Sequence, residues 1–330
     1  YGRAYQLPQE TAHNETCANI GNMLWNFRML QLSADSKYAD IMEQTYYNSI
    51  LSGISLDGKK YFYTNALSHN HDFPYQMRWG NFRQDYITCF CCPPNTVRTI
   101  AEANSYAYAT SDKGVYCNLY GGNTLKTVLT NGSEIHITQD TDYPWDGRVS
   151  LKIEKAPKNV YSIFLRIPEW CDNAIIKVNG KDESIKVIAG NYAEVNRQWR
   201  KGDVVELDMP FEARLVESNP IVEESRNQIA VMYGPLVYCM ESKDLPKGIS
   251  IHDVLIPADI KLTPKPINID NSKVVLLTGK AQALTNNNWD GKLYRTVNKS
   301  TKDIEISLIP YYAWNNRGNY DMSVWLRAAN

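Results

Sequence analysis

The sequence predicts an α+β protein of several domains, because the spacing of apolar side chains changes along the chain. Residues 1–112 carry apolar side chains at helical intervals, whereas from about residue 113 they alternate or are β-branched. The composition changes again at residues 210–220, and a second all-β stretch follows. We therefore predict a helical domain at residues 1–112, a β-sandwich domain at 113–218 and a second β-sandwich domain at 219–330.

Three helices are predicted in the first domain. Residues 15–32 repeat apolar side chains at helical intervals. Asp35 has the position and side chain of an N-cap for a second helix. A third helix is predicted over residues 96–109, which contain no glycine or proline. Pro93 and Pro94 would occupy its first turn, where a missing N–H costs nothing.

Short strands are predicted in the rest of the chain, and one strand-like segment interrupts the helices at residues 61–63. Asn179 and Gly180 form a hairpin signal between two of these strands. The spacing of the strands is typical of β-sandwiches. The predicted strands lie at 115–120, 134–138, 149–153, 160–167, 175–178, 192–195, 204–207, 229–233, 236–239, 274–277, 304–309 and 322–326.

The composition is that of a globular protein without strong charge. The chain has 330 residues, a formal net charge of −1 and 43% hydrophobic residues. A balanced charge gives no electrostatic affinity for nucleic acid or an anionic membrane, so we expect neither partner. No apolar run reaches the length of a membrane-spanning helix. Oligomeric state is not predicted by any of these features.

The cysteines are concentrated in one segment, TCFCCPPN at residues 88–95, which holds three of the chain's seven. Cysteines so close together pair poorly with each other, but thiolates are soft ligands that suit zinc. Cys91 and Cys92 would lie at a helix N-terminus, where the helix dipole favours the nucleophilic thiolate. The local pattern leaves three alternatives open: a structural metal knuckle, buried cysteines, or a reactive thiol.

Several longer segments resemble glycoside hydrolase family 127 and its relative, family 146, in the same order and over essentially the whole chain. They are NETCA at 14–18, LDGK at 56–59, CFCCPPN at 89–95, LRIPEWC at 165–171, YGPLVY at 233–238 and LIPYYAW at 308–314. The family is best known for retaining β-L-arabinofuranosidases that combine an (α/α)6 barrel with two β-sandwich domains. The resemblance implies that residues 1–112 are the C-terminal part of such a barrel.

The resemblance also implies a zinc ion held by one glutamate and three cysteines, one of which is the nucleophile. By motif, the zinc ligands correspond to Glu15, Cys17, Cys91 and Cys92, and the nucleophile corresponds to Cys91. Cys89 matches no ligand. Thiolate attack on the anomeric carbon would replace the usual second carboxylate of a retaining glycosidase.

Two further residues, Glu43 and Tyr63, match residues that contact the sugar in the family. The family's acid/base glutamate lies just before the segment that matches Leu7-Pro8, and by that spacing it falls upstream of Tyr1. Because the sequence also begins without an initiator methionine, we expect an N-terminal barrel segment of the same protein to be missing. The fragment alone is then expected to be inactive.

The sequence therefore predicts a retaining glycoside hydrolase that uses zinc and releases L-arabinofuranose, or a related sugar, from plant-type glycans. The alternative is a non-catalytic carbohydrate-binding protein with a structural zinc site. In either case the partner is an oligo- or polysaccharide. Glycan degradation favours a periplasmic or extracytoplasmic location over the cytoplasm, although free thiols are easier to keep reduced inside the cell.

Overall fold

The computed structural model describes residues 2–72, 79–183, 185–286 and 288–329. It is a mixed α+β structure with few helices and several sheets, which confirms the predicted fold class at that level. The chain divides into two compact units, one of Tyr1–Ala18, Asn48–Pro93 and Ala213–Asn330, the other of Asn19–Tyr47 and Pro94–Glu212. None of the helices within the described ranges is both long and apolar enough to cross a membrane.

The α-helices of the described part of the chain lie in its first third, as predicted. Their bounds are Thr16–Ser33 (α1), Ser36–Gln44 (α2), Cys92–Ala101 (α3) and Ala103–Tyr106 (α4), and a π-helical segment at Thr45–Ile50 continues α2. The Asp35 side chain accepts a hydrogen bond from the Lys37 N–H at 3.1 Å, which confirms the predicted N-cap.

The third helix is shorter than predicted, and the predicted strand at residues 61–63 does not form. Helix α3 ends at Ala101, and residues 108–111 form a strand instead of the end of a helix. That strand pairs with residues 114–117, so its backbone hydrogen bonds go to a neighbour in a sheet. Tyr61 makes only isolated bridges, to Ile54 and Gln84.

Twenty strands are present in the part of the chain that the structure describes. They are Ser68–His69 (β1), Tyr108–Ser111 (β2), Gly114–Cys117 (β3), Asn123–Val128 (β4), Glu134–Thr141 (β5), Arg148–Lys155 (β6), Tyr161–Ile167 (β7), Ile175–Val178 (β8), Lys181–Asp182 (β9), Asn191–Arg197 (β10), Val204–Asp208 (β11), Ala213–Glu217 (β12), Gln228–Tyr233 (β13), Leu236–Glu241 (β14), Val254–Ile256 (β15), Thr263–Ile269 (β16), Ser272–Leu284 (β17), Thr301–Pro310 (β18), Met322–Ser323 (β19) and Leu326–Ala328 (β20).

The unit of residues 19–47 and 94–212 contains a four-stranded sheet, β10-β7-β3-β2, and a six-stranded sheet, β4-β5-β6-β11-β8-β9. Strand β6 shows the predicted alternation, since Val149, Leu151 and Ile153 are buried in one apolar core. The predicted hairpin turn between β8 and β9 is confirmed, because Asn179 and Gly180 have φ values of 53° and 75°.

Gly114 is required at the start of β3, and its replacement by alanine is expected to destabilise this unit. Its φ is +153°, and a Cβ atom would lie 1.9 Å from the Ser162 carbonyl oxygen. We expect Gly114→Ala to lower the free energy of unfolding by about 1–3 kcal/mol, measured by urea denaturation. Gly121→Ala is the matched control, because nothing lies within 4 Å of a Cβ there. Equal stability of the two variants would contradict the prediction.

The other unit contains one ten-stranded sheet. Its order is β1-β19-β14-β18-β17-β15-β20-β13-β12, with β16 paired to β17. An additional pairing of β14 with β13 closes the path from β14 through β18, β17, β15 and β20 back to β13. Strand β12 pairs with β13 although it precedes residue 219. The sandwich arrangement and the domain boundaries predicted for this region stay predictions.

The edge of this sheet anchors a segment that leads to the candidate site. Strand β1 pairs with β19, and the Leu67 carbonyl accepts a hydrogen bond from the Val324 N–H at 2.9 Å. A few residues earlier, the Asn65 N–H donates to the Asn14 carbonyl at 2.8 Å. The segment is therefore fixed at one end by the sheet and at the other by the residues that precede α1.

Candidate functional site

Four predicted ligand residues converge at one place in the unit of residues 1–18, 48–93 and 213–330. The ligand atoms of Glu15, Cys17, Cys91 and Cys92 all lie within 4.8 Å of one another. The Sγ atom of Cys92 lies 3.4 Å from that of Cys17 and 3.8 Å from that of Cys91. Glu15 Oε1 lies 3.6 Å from Cys91 Sγ and 3.9 Å from Cys92 Sγ.

The start of α1 places Glu15 and Cys17 on the same side. Thr16 is fully buried, and its N–H and hydroxyl both donate at 2.9 Å, to the carbonyls of Tyr63 and Phe62. Glu15 precedes the helix and forms an isolated bridge with Thr64. Because Glu15 has extended backbone and Cys17 lies in the first helical turn, both side chains can turn inward.

The start of α3 supplies the other two ligand residues. The helix begins at Cys92, which confirms that the cysteines lie at a helix N-terminus and that Pro93 and Pro94 occupy the first turn. The Cys91 N–H donates to the Cys89 carbonyl at 2.9 Å, which turns the chain tightly just before the helix.

The separations of the four ligand atoms fit a tetrahedral metal site. Thiolates that bind one ion at about 2.3 Å with tetrahedral angles lie about 3.8 Å apart, close to the observed sulfur–sulfur distances. Burial raises the pKa of the Cys91 and Cys92 thiols. A bound cation reverses this effect, because it favours the thiolate. The cluster is therefore chemically suited to a metal ion.

The two adjacent cysteines at the start of α3 differ in solvent exposure. Cys92 is fully buried, whereas Cys91 is half-buried. Cys89 lies outside the group of four, as predicted, although its Sγ atom is 3.8 Å from that of Cys91. Cys91 is half-buried, and its sulfur contacts both Glu15 and Cys92.

Tyr63 lies beside the cluster, and the sugar contact predicted for it stays a prediction. Its side chain is 6% exposed and packs in one apolar group with Ile87 and Cys92. The Tyr63 ring lies 6.1 Å from the ring of Trp79 and 5.9 Å from that of His13. Aromatic side chains therefore flank the cysteines.

Glu43 has a different environment, inside the unit of residues 19–47 and 94–212. It is 2% exposed, accepts a hydrogen bond from the Tyr143 hydroxyl at 2.7 Å and forms an ion pair with Arg166. Burial raises the pKa of the Glu43 carboxyl, and the charge of Arg166 opposes this shift. Both contacts are to the Oε1 atom of Glu43, and the sugar contact predicted for Glu43 stays a prediction.

His13 was not predicted from the sequence, although it contacts the cluster. Its Nε2 atom lies 3.3 Å from Glu15 Oε2. Side chains two residues apart in an extended segment point to the same side, and this spacing could have indicated the contact.

Comparison with known proteins identifies the family. Models of the β-L-arabinofuranosidase GH127 catalytic, GH127 middle and glycoside hydrolase family 127 C-terminal domains match residues 1–105, 114–211 and 213–327. A non-reducing end β-L-arabinofuranosidase of Bifidobacterium longum is 31% identical over an alignment of 340 positions, which covers 98% of this chain and 50% of the relative.

Solved structures agree with this assignment. One, described as a glycoside hydrolase, is 55% identical to this chain with a TM-score of 0.97. The match covers 100% of this chain and 55% of the chain in that structure. A GH127 β-L-arabinofuranosidase from Geobacillus stearothermophilus T6 is 36% identical to this chain with a TM-score of 0.89. The match covers 98% of this chain and 51% of the chain in that structure. The chain belongs to glycoside hydrolase family 127. It spans about half the length of the relatives it matches.

Proposed function

We propose that the complete protein is a retaining glycoside hydrolase that releases L-arabinofuranose, or a related sugar, from plant-type glycans. The observation that carries the proposal is the convergence of Glu15, Cys17, Cys91 and Cys92 in a chain of family 127. Relatives named as β-L-arabinofuranosidases support the choice of sugar.

Zinc is the cofactor that this donor set suits best, since three thiolates and one carboxylate make a closed tetrahedral set. Bound zinc would supply the positive charge that keeps the buried thiols ionised at neutral pH. Glu15 and Cys17 from the start of α1 would hold it together with Cys91 and Cys92 from the start of α3.

Cys91 is the proposed nucleophile, because it matches the nucleophile of the family by motif; its partial exposure, unlike the full burial of Cys92, supports this choice. The Cys91 sulfur attacks the anomeric carbon as the bond to the departing oxygen breaks, which gives a glycosyl thioether. A general acid protonates that oxygen, and a water activated by the same group then displaces the sulfur. Two inversions retain the configuration. We assign the general acid to no residue of this sequence.

Tyr63 and Glu43 are the proposed contacts to the sugar. Tyr63 lies beside the cysteines, with the ring of Trp79 next to it. Aromatic rings present an apolar face to the C–H groups of a sugar, and the Tyr63 hydroxyl adds a polar group that can bond to it. For Glu43 the support is the motif alone, and binding would need a carboxylate oxygen that Arg166 and Tyr143 leave accessible.

The proposed architecture is an (α/α)6 barrel followed by two β-sandwich domains. Residues 1–112 would be the C-terminal part of the barrel, completed by a preceding segment of the same protein, and 113–218 and 219–330 the sandwiches. The pairing of β12 with β13 supports moving the second boundary a few residues earlier. A glycan substrate supports a periplasmic or extracytoplasmic location.

Elemental analysis of the complete protein tests the metal site. We expect about one zinc ion per chain, and we expect Cys17→Ser to lose it, because a neutral hydroxyl replaces a thiolate ligand. Cys89→Ser is the matched control and should retain the zinc, since Cys89 lies outside the group of four. Absence of zinc from the wild-type protein would refute the shared-ligand site. Zinc without hydrolysis of an aryl β-L-arabinofuranoside would instead indicate another sugar specificity or a carbohydrate-binding protein with a structural zinc site.

A further inference from the structure

We propose that His13 is a positioning residue that holds the carboxylate of Glu15 in the orientation required for metal binding. The inference rests on the metal site of the proposed function and adds a residue to it. His13 does not contact the metal in this proposal. It acts through Glu15.

The two carboxylate oxygens of Glu15 have separate partners. Oε1 faces the sulfur atoms of Cys91 and Cys92, at 3.6 and 3.9 Å. Oε2 lies 3.3 Å from His13 Nε2. A hydrogen bond to Oε2 therefore fixes the rotation of the carboxylate and leaves Oε1 directed at the centre of the cluster.

The backbone holds His13 where it can make this bond. Asn14, the next residue, exchanges hydrogen bonds with Asn65: its carbonyl accepts from the Asn65 N–H and its side-chain amide donates to the Asn65 carbonyl, both at 2.8 Å. On the other side, Glu15 forms a bridge with Thr64. The His13 ring also lies 5.9 Å from the ring of Tyr63.

The chemistry of the pair defines the direction of the bond. An ionised carboxylate only accepts hydrogen bonds, so the His13 Nε2 atom must carry the proton that it donates. Hydrogen-bond partners of metal-ligating carboxylates orient the ligand, and their removal typically lowers metal affinity 10–100-fold. Since His13 is half-exposed, with 47% of its side chain accessible, its replacement should leave the apolar core intact.

The experiment measures zinc affinity of the complete protein by competition with a chromophoric chelator. We expect His13→Ala to weaken zinc binding roughly 10–100-fold. His13→Gln places an amide N–H near the position of Nε2 and should restore most of the affinity. In the cobalt-substituted protein, His13→Ala should also change the visible absorption bands, which report ligand geometry independently of hydrolysis.

His136→Ala is the matched control, because His136 makes the same kind of pair with Glu134, at 2.8 Å on β5. It should leave zinc affinity unchanged. Tight zinc binding in the wild-type protein with equal affinity in His13→Ala would overturn the role of His13 while the metal site stands. Equal losses in His13→Ala and His13→Gln would also contradict it, since a donor alone would then not suffice. A wild-type protein without zinc would overturn the metal site itself.

Discussion

Replacement of Cys91 by serine is expected to lower the rate of arabinose release from an aryl β-L-arabinofuranoside by about 10³-fold or more. Cys91 is the proposed nucleophile, and a serine hydroxyl there would stay protonated at neutral pH and attack far more weakly than a thiolate. The expected loss lies in the rate of glycosyl transfer to the enzyme. Steady-state kinetics of the complete protein, combined with zinc analysis, would measure it.

The zinc content of Cys91→Ser separates two causes of inactivity. Loss of hydrolysis with retained zinc indicates loss of the nucleophile, whereas loss of both indicates loss of a ligand that the nucleophile also provides. Cys89→Ser is the control for both readouts, since its sulfur lies only 3.8 Å from that of Cys91 but outside the ligand group. An active Cys91→Ser variant would refute the thiolate mechanism.

A trapped intermediate would provide direct evidence. The mechanism predicts a covalent adduct on Cys91 when a slow substrate is mixed with the complete protein and quenched in acid. Mass spectrometry of the peptide that contains residues 89–92 should show the added mass of one pentosyl group. The adduct should be absent from Cys91→Ser and present in Cys89→Ser. A label on Cys89 alone would identify Cys89 as the nucleophile, two residues before the proposed one.

Local sequence patterns predicted the parts of the candidate site but not its assembly. The prolines after Cys92 indicated a helix start, and α3 begins there. What brings Glu15 to the cysteines is the pairing of residues 14–16 with 63–65, a contact between distant segments. The local spacing of residues carries no information about such a contact. The residues alone were therefore compatible with a structural metal knuckle, buried cysteines or a reactive thiol. The resemblance to family 127 predicted that Glu15 and Cys17 belong to the same site as Cys91 and Cys92.

The strands were predicted where alternation was clear and missed where other residues obscured it. Strand β16 contains Pro264 and Pro266, which argue against a strand because proline has no N–H to donate. In the structure β16 lies at an edge and pairs with β17, so the backbone N–H groups on its other edge are not needed for strand pairing. The prediction for the end of the third helix was wrong for a related reason. Residues 108–111 become a strand because β3 provides a partner, and the local pattern does not contain that information.

A buried charge network in the unit of residues 19–47 and 94–212 makes that unit sensitive to the loss of a single charged partner. Arg166 is fully buried, and its guanidinium forms ion pairs with Asp40 and Glu43 of α2. Its Nε donates to the Asn118 carbonyl at 2.6 Å, and the Tyr143 hydroxyl donates to Glu43 at 2.7 Å. The network therefore ties α2 to β7, which contains Arg166.

Replacement of Arg166 by methionine is expected to lower the free energy of unfolding by about 3–5 kcal/mol. The attraction between buried charges barely exceeds the cost of their dehydration, but removal of one partner leaves the other charge buried without compensation. Glu43 would be that charge, since its side chain is 2% exposed. Urea denaturation followed by circular dichroism would measure the loss.

A second substitution tests this explanation. Adding Glu43→Gln to Arg166→Met removes the stranded carboxylate, so the double variant should be more stable than Arg166→Met alone, although it lacks two charges of the network. Arg148→Ala is the control for a solvent-exposed pair, because Arg148 bonds to Asp146 with 77% of its side chain accessible. It should leave the urea midpoint unchanged. If the double variant were no more stable than Arg166→Met, the stranded charge would not explain the loss, and packing of the Arg166 side chain would account for the effect.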